Sequence, residues 1–209
     1  MAISYPLTTP TVSGIQSIRL IARNTIAVTT SPFTYKQQIL KHSGARWEAD
    51  ILLPPMKRED AEEWNAFLMS LNGQYGTFLL SDPLGVTPRG SASSAPGTPV
   101  VNGASQTGNI LAIDGCPFSA TGYLKAGDYI QLGSASSTRL YKVLEDIDTN
   151  ASGEASISIW PDLRESPSDN QSVTVTNCKG LFRLASNESS FNINESSFYG
   201  ITFGAVEAI

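Results

Sequence analysis

The sequence predicts a mainly β protein with a single α-helix, and three observations support this. The 209 residues include 26 Ser, 17 Thr, 17 Gly and 12 Pro, so turn formers and small polar residues make up about a third of the chain. Several short stretches alternate apolar and polar residues, as half-buried strands do. One stretch has the apolar spacing of an amphipathic helix. Hydrophobic residues, at 41%, are sufficient for a packed core.

Strand patterns dominate the first 53 residues. The range 46–53 alternates strictly, and its apolar face comprises Trp47, Ala49, Ile51 and Leu53. The range 18–23 alternates in the same way, and 25–30 and 34–40 are further β-rich runs, separated by Ser31-Pro32. We therefore expect several antiparallel strands before the helix, followed by a short strand over 75–80.

The predicted helix covers residues 57–71. Its apolar stripe consists of Ala61, Trp64, Leu68 and Leu71. Acidic residues are concentrated near its start, where the helix dipole favours carboxylates, and Gly73 occupies the position of a C-terminal cap. We expect this stripe to pack on a sheet.

Residues 81–108 are rich in Gly, Pro, Ser and Thr and read as a linker or extended arm. Short strands follow at about ten-residue spacing, which is typical of a small antiparallel barrel or sandwich. Near the C-terminus, Asn187-Glu-Ser-Ser-Phe191 recurs as Asn194-Glu-Ser-Ser-Phe198. We interpret this repeat as a polar loop with two aromatic anchors.

No catalytic, cofactor or metal site is predicted, and we expect the chain not to be an enzyme. Asp146-x-Asp148-x-Asn150 resembles the start of a calcium loop but lacks the later glycine and glutamate, so it reads as a hairpin turn. His42, the one histidine, and the two cysteines, Cys116 and Cys178, fall in turn or loop patterns with no nucleophile–base arrangement.

The charge and the apolar pattern exclude further classes. The net charge is -5 with a pI near 4.9, which argues against specific nucleic-acid binding. No apolar run is long enough for a membrane span, and the first residues lack a secretory signal. We expect a protein that is made inside a cell and does not enter a membrane.

Several motifs together resemble a family of minor tail proteins of long-tailed bacteriophages, over about residue 15 to the C-terminus. They are Arg46-Trp-Glu-Ala-Asp-Ile-Leu-Leu-Pro-Pro-Met56, Ala61-Glu-Glu-Trp64-Asn-Ala-Phe67, Leu71-Asn-Gly73-Gln-Tyr-Gly-Thr-Phe78-Leu-Leu-Ser-Asp-Pro83, Gly127-Asp-Tyr-Ile-Gln-Leu-Gly133, Arg139-Leu-Tyr-Lys-Val143, Ile159-Trp-Pro-Asp-Leu-Arg164 and Gly180-Leu-Phe-Arg-Leu184. By analogy the chain looks like a distal tail, or tail-tip, protein.

The resemblance implies a ring-forming β-sandwich with a flanking helix, from residues 1–97 and 179–209, and an inserted small β-barrel, from residues 98–178. It also implies a structural role in the virion, assembled in the cytoplasm of the bacterial host: a ring, usually of six copies, that joins the tail tube to the baseplate hub or tail fibres. Because the barrel reads as an insertion, we expect that residues 98–178 can be excised.

Two alternatives remain open. Tail tube and terminator proteins share related folds, and sequence pattern separates them poorly from tail-tip proteins. A carbohydrate- or receptor-binding module of the tail would use the barrel aromatics as a sugar platform: Tyr123, Tyr129, Tyr141 and Trp160.

The charges are unevenly distributed along the chain. Residues 1–58 hold seven basic and two acidic residues, whereas the rest of the chain is acidic. A ring repeats one head-to-tail contact, so two different patches of each subunit must match. We predict that the basic N-terminal strands meet an acidic face of a neighbour through Arg19, Arg23, Lys36 and Lys41.

Overall fold

The described residues, 3–12, 14–193 and 198–209 of a computed structural model, form fifteen strands and one α-helix. The mainly β fold with one helix is confirmed. Residues 194–197, which carry most of the second pentapeptide copy, lie outside the described residues. The elements are β1 (Leu7–Thr8), β2 (Ser17–Arg23), β3 (Ile26–Thr30), β4 (Gln37–Lys41), β5 (Arg46–Leu52), α1 (Arg58–Ser70), β6 (Phe78–Leu80), β7 (Val100–Val101), β8 (Ile110–Asp114), β9 (Tyr129–Leu132), β10 (Arg139–Val143), β11 (Ala155–Trp160), β12 (Val173–Thr174), β13 (Gly180–Leu184), β14 (Phe191–Ile193) and β15 (Tyr199–Glu207).

A seven-stranded sheet joins the two ends of the chain. Its order is β1-β6-β13-β15-β5-β2, and β14 pairs with β15. Strand β5 lies between β2 and β15, and the alternation predicted for 46–53 is confirmed because Trp47, Ala49, Ile51 and Leu53 are all buried. The sheet therefore presents one apolar face to the core.

Helix α1 packs on this sheet. Ala61, Trp64, Leu68 and Leu71 are buried, which confirms the predicted stripe, and Phe67 joins them. The helix begins at Arg58 and ends at Ser70, within a residue of the prediction at each end. Asn72 and Gly73 then adopt positive φ values of 49° and 65°, so the chain reverses there and leads back towards β6.

The second sheet is a nearly closed antiparallel barrel of six strands in the order β12-β9-β10-β11-β8-β7. Backbone hydrogen bonds bring its two ends together: Val173 N–H donates to Pro99 O and Val101 N–H to Gln171 O, each at 2.9 Å. The barrel predicted after the linker is therefore present. Its core is separate from that of the sheet and is filled by residues such as Leu111, Tyr123 and Ile130.

The segment predicted as a linker is partly tied to the barrel. Ser91 N–H donates to Gly122 O at 2.9 Å and Ala92 N–H to Tyr123 O at 3.0 Å, and Ala92 is fully buried. The composition indicated a linker or extended arm, but small residues such as Ala and Ser also permit close approach between loops. Part of the range 81–108 thus packs against the barrel and does not serve as a linker.

Strands of the barrel meet the core of the sheet at Trp47. Its indole Nε1–H donates to Leu140 O at 3.0 Å, and its ring makes an edge contact with Trp160 at 4.6 Å between centroids. Beside it, Arg164 Nη2 lies 2.6 Å from Glu207 Oε2, with side chains only 5% and 2% exposed. The same Glu207 oxygen accepts the Trp47 backbone N–H at 2.9 Å. This junction, comprising Trp47, Leu140, Trp160, Arg164 and Glu207, fixes the barrel to the sheet.

Excision of residues 98–178, with a short Gly/Ser replacement, is now expected to lower stability. It would uncover Trp47 and remove Tyr129 and Leu140, which pack into the core of the sheet. Thermal unfolding followed by circular dichroism compares the shortened and full-length chains. An unchanged midpoint would contradict this expectation and favour the independent sheet unit anticipated from the sequence.

Candidate interaction surface

A two-stranded hairpin of β3 and β4 is the least covered part of the fold. It pairs with neither of the larger sheets, and every residue in both strands is exposed. We call residues 26–41 the arm. The sequence patterns predicted these strands, but not that their apolar residues face solvent.

One face of the arm, which we call its apolar face, carries three large apolar side chains. Residues opposite each other in an antiparallel pair point to the same side, so the pairs Val28–Ile39 and Ile26–Lys41 share a face. Ile26, Val28 and Ile39 are each more than half exposed there. That face also carries the polar pair Thr30–Gln37. The other face carries Ala27–Leu40 and Thr29–Gln38, in which Leu40 is the one large apolar side chain.

The turn of the arm presents two aromatic side chains. Phe33 is 92% exposed and Tyr35 is 80% exposed. Large aromatic side chains are enriched at protein interfaces because each buries much apolar area with few rotatable bonds. The arm therefore combines an apolar face with an aromatic tip, a composition that is typical of protein–protein interaction surfaces.

Contacts at its base hold the arm against the barrel. Lys41 Nζ lies 2.9 Å from the Asp162 carboxylate, and Trp160 Nε1–H donates to Asn24 Oδ1 at 2.8 Å. His42 N–H donates to Thr25 O at 2.9 Å. The base of the arm is therefore anchored, whereas its apolar face stays exposed.

Of the four predicted interface residues, three have an acidic partner in their own chain. Lys41 pairs with Asp162, Arg23 Nε lies 2.6 Å from Glu48 Oε1, and Arg19 Nη1 lies 4.0 Å from Asp50 Oδ2. Lys36 is exposed and forms no ion pair with the described residues. The structure thus places Lys36 and Lys41 on the arm and Arg19 and Arg23 on the adjacent edge strand β2.

Glu48 lies between two arginines on the sheet. The hydrogen bond from Arg23 is the main cause that holds its pKa below the ordinary value, and Arg46 Nη2, at 2.8 Å, adds to it. Glu48 is therefore ionised in the folded chain at neutral pH.

Arg23→Gln is expected to lower the free energy of unfolding near neutral pH and to have little effect in strong acid. Because the pKa of Glu48 is lowered from 4.5, its ionised form stabilises the folded state above that pH. As the pH falls below 4.5 the unfolded chain is protonated first, and the contribution is lost once the pH passes the lowered folded pKa. Urea titrations over a pH series measure this.

Arg19→Gln is the matched control, since Arg19 and Asp50 are both exposed and 4.0 Å apart. An Arg23→Gln deficit of equal size at every pH would contradict the role given to Glu48.

Other sequence candidates have structural roles. Tyr123, Tyr129 and Tyr141 are buried, so they cannot form a sugar platform. Asp148 Oδ1 accepts the Gly122 N–H and Asp146 Oδ1 the Ala126 N–H, so both carboxylates bind a neighbouring loop. Asn150 Oδ1 accepts the Ser152 N–H within the hairpin that connects β10 and β11. Among residues 3–12, 14–193 and 198–209, no three His, Cys, Asp or Glu side chains are grouped as metal ligands.

No protein-family model matches the chain, and no curated protein matches it. In the part of the chain that the structure describes, no helix has the length and apolar character required to cross a bilayer.

Proposed function

We propose that the chain is a structural component of a bacteriophage tail tip that assembles into a ring, of six copies as the resemblance implies. In this proposal the ring joins the tail tube to the baseplate hub or fibres. The exposed arm is the observation that supports this proposal, because its apolar face and aromatic tip leave large apolar side chains in contact with water.

The low stability expected of a two-stranded hairpin is a second argument that the arm packs against a partner. An isolated two-stranded hairpin is marginally stable in water and normally needs a third strand or a packing surface. The arm has contacts at its base, but Val28, Ile39 and the tip residue Phe33 are left uncovered. Burial against a neighbour would remove this apolar area from water, and each Å² buried would contribute about 25 cal/mol of favourable free energy.

A second copy of the chain is the partner we propose. Only 16% of residues are charged, against about 25% in an ordinary soluble domain, as is expected when much surface is covered in an assembly. A ring contact is head-to-tail, so the arm would meet a different patch of its neighbour. The seven-stranded sheet with α1 would serve as the ring-forming unit, as one layer of the expected sandwich, and the barrel as its insertion.

The double variant Val28→Lys/Ile39→Lys tests this proposal. It places two charges opposite each other on the apolar face, and we expect it to remain a monomer where the parent chain forms rings. Analytical ultracentrifugation measures the mass, and negative-stain microscopy shows the shape. Filaments of stacked rings from the parent chain would favour the tube-protein alternative over a tail tip.

Thr29→Lys/Gln38→Lys is the matched control. It adds the same two opposed charges to the same hairpin, but on the other face, so any cost to the hairpin itself is similar. We expect this control to assemble. A parent chain that stays monomeric, or equal assembly of the two double variants, would overturn the proposal.

A further inference from the structure

A polar cleft of about 520 Å³ opens at one end of the barrel. Its walls are the loop between β9 and β10, residues 133–138, and the loop 165–171. Small-molecule sites measure about 300–1,000 Å³, so the volume is sufficient for a ligand. The buried Leu132 and Tyr141 line its inner part.

Both walls are held by hydrogen bonds before any ligand binds. Ser134 and Ser137 form a reciprocal capping box around a short 3₁₀ turn. In the facing loop, Ser168 N–H donates to Gln171 Oε1 at 3.1 Å, and Asp169 Oδ1 accepts the Gly103 N–H at 2.8 Å. A preformed cleft loses little conformational entropy when it binds a ligand.

Arg139 leaves donors unused in this cleft. Its Nη1 donates to Thr138 O at 3.1 Å and to Ser136 O at 3.4 Å, but Nη2 is 3.9 Å from Glu165 Oε1, which is too long for a hydrogen bond. Its Nε is buried without a hydrogen-bond partner among the described residues. Glu165 itself is 82% exposed at the rim, so the cleft offers a donor and an acceptor side by side.

The charge balance selects the ligand class. The lining includes one cation, Arg139, and two carboxylates, Glu165 and Asp169. A phosphate or sulfate would be repelled by the two carboxylates, and a cation would be repelled by the guanidinium. A sugar hydroxyl both donates and accepts, so it can bind Arg139 and Glu165 together, and four serines extend the polar lining: Ser134, Ser137, Ser166 and Ser168.

We propose that this cleft binds an uncharged saccharide unit. Tyr141 is the one residue that the site shares with the aromatic platform considered from the sequence. The site does not depend on the arm or on assembly. The same chemistry would recognise a free sugar or one unit of a surface glycan.

Saturation-transfer NMR with methyl glycosides of D-glucose, D-galactose, L-rhamnose and N-acetyl-D-glucosamine tests the proposal on the full chain. We expect transfer to at least one of them. Glu165→Ala should weaken that binding about tenfold, equivalent to about 1.4 kcal/mol. Arg139→Lys, which keeps the charge but loses the planar fork, should weaken it similarly.

Glu145→Ala is the matched control, because Glu145 is an exposed glutamate of the same barrel and does not line the cleft. Its binding should equal that of the parent chain. A disaccharide of the sugar that binds distinguishes a free sugar from a unit of a surface glycan. Tighter binding of the disaccharide than of the methyl glycoside indicates a glycan, and equal binding indicates a free sugar.

Absence of transfer to all four glycosides would overturn the proposal, as would equal binding by the Glu165→Ala and parent chains. Displacement of the bound glycoside by inorganic phosphate or by tetramethylammonium would also overturn it, in favour of a charged ligand. Ring formation, measured separately by ultracentrifugation, leaves each of these outcomes unchanged.

Discussion

Trp64→Ala is expected to lower the free energy of unfolding by about 3–5 kcal/mol. Trp64 is fully buried in α1, and its ring contacts Phe67 at 5.8 Å and Phe203 at 6.1 Å between centroids. Its Nε1–H donates to Val12 O at 3.2 Å. The substitution therefore opens a cavity between helix and sheet and leaves a carbonyl without its donor. Urea titration followed by circular dichroism measures the change.

Met69→Ala is the control for this prediction. Met69 lies on the same helix but is mostly exposed, so its truncation should change stability by less than about 0.5 kcal/mol. A Trp64→Ala loss no larger than that of Met69→Ala would show that the helix does not depend on this stripe.

Arg164→Met is the second change expected to be severe, at about 3–5 kcal/mol. It removes the partner of Glu207 and leaves a carboxylate buried at the junction, where Trp47 N–H would be its remaining donor. The cost arises mainly from the unpaired charge, since an intact buried ion pair contributes little net stability. We therefore expect the double variant Arg164→Met/Glu207→Gln to be more stable than Arg164→Met alone.

Arg58→Met serves as the comparison, because Arg58 and Glu62 form an exposed ion pair that is worth under about 1 kcal/mol. If Arg164→Met were as mild as Arg58→Met, the Arg164–Glu207 pair would not be holding barrel and sheet together. The double-mutant cycle gives the coupling energy directly.

Local periodicity explains which elements could be predicted. The alternation of residues 46–53 and the stripe through Trp64 each depend on a few consecutive residues, and both faces are buried as expected. The junction could not be predicted in this way, because Arg164 and Glu207 are 43 positions apart and are brought together only by the folded topology. Likewise, composition could not show that Ala92 packs into the barrel core.

The interface residues show the same limit. A surplus of basic residues over 1–58 indicated an outward-facing charged patch, but cross-strand register places Arg19 beside Asp50, and Glu48 accepts a hydrogen bond from Arg23. The arm was recognisable as β-rich, yet exposure of Val28 and Ile39 is a property of the whole fold. The cleft around Arg139 joins two loops more than 25 residues apart, and no local motif marks it.

Closure of the barrel has a consequence for how the chain can join other strands. The hydrogen bonds from Val173 and Val101 satisfy backbone groups that would otherwise form open edges on β7 and β12. Such edges act as templates to which foreign strands add, including those of misfolded aggregates. Among the described residues, the open edges are thus those of β1, β2, β14 and the arm. The seven-residue β2 is the longest of them, while the barrel is protected from strand addition.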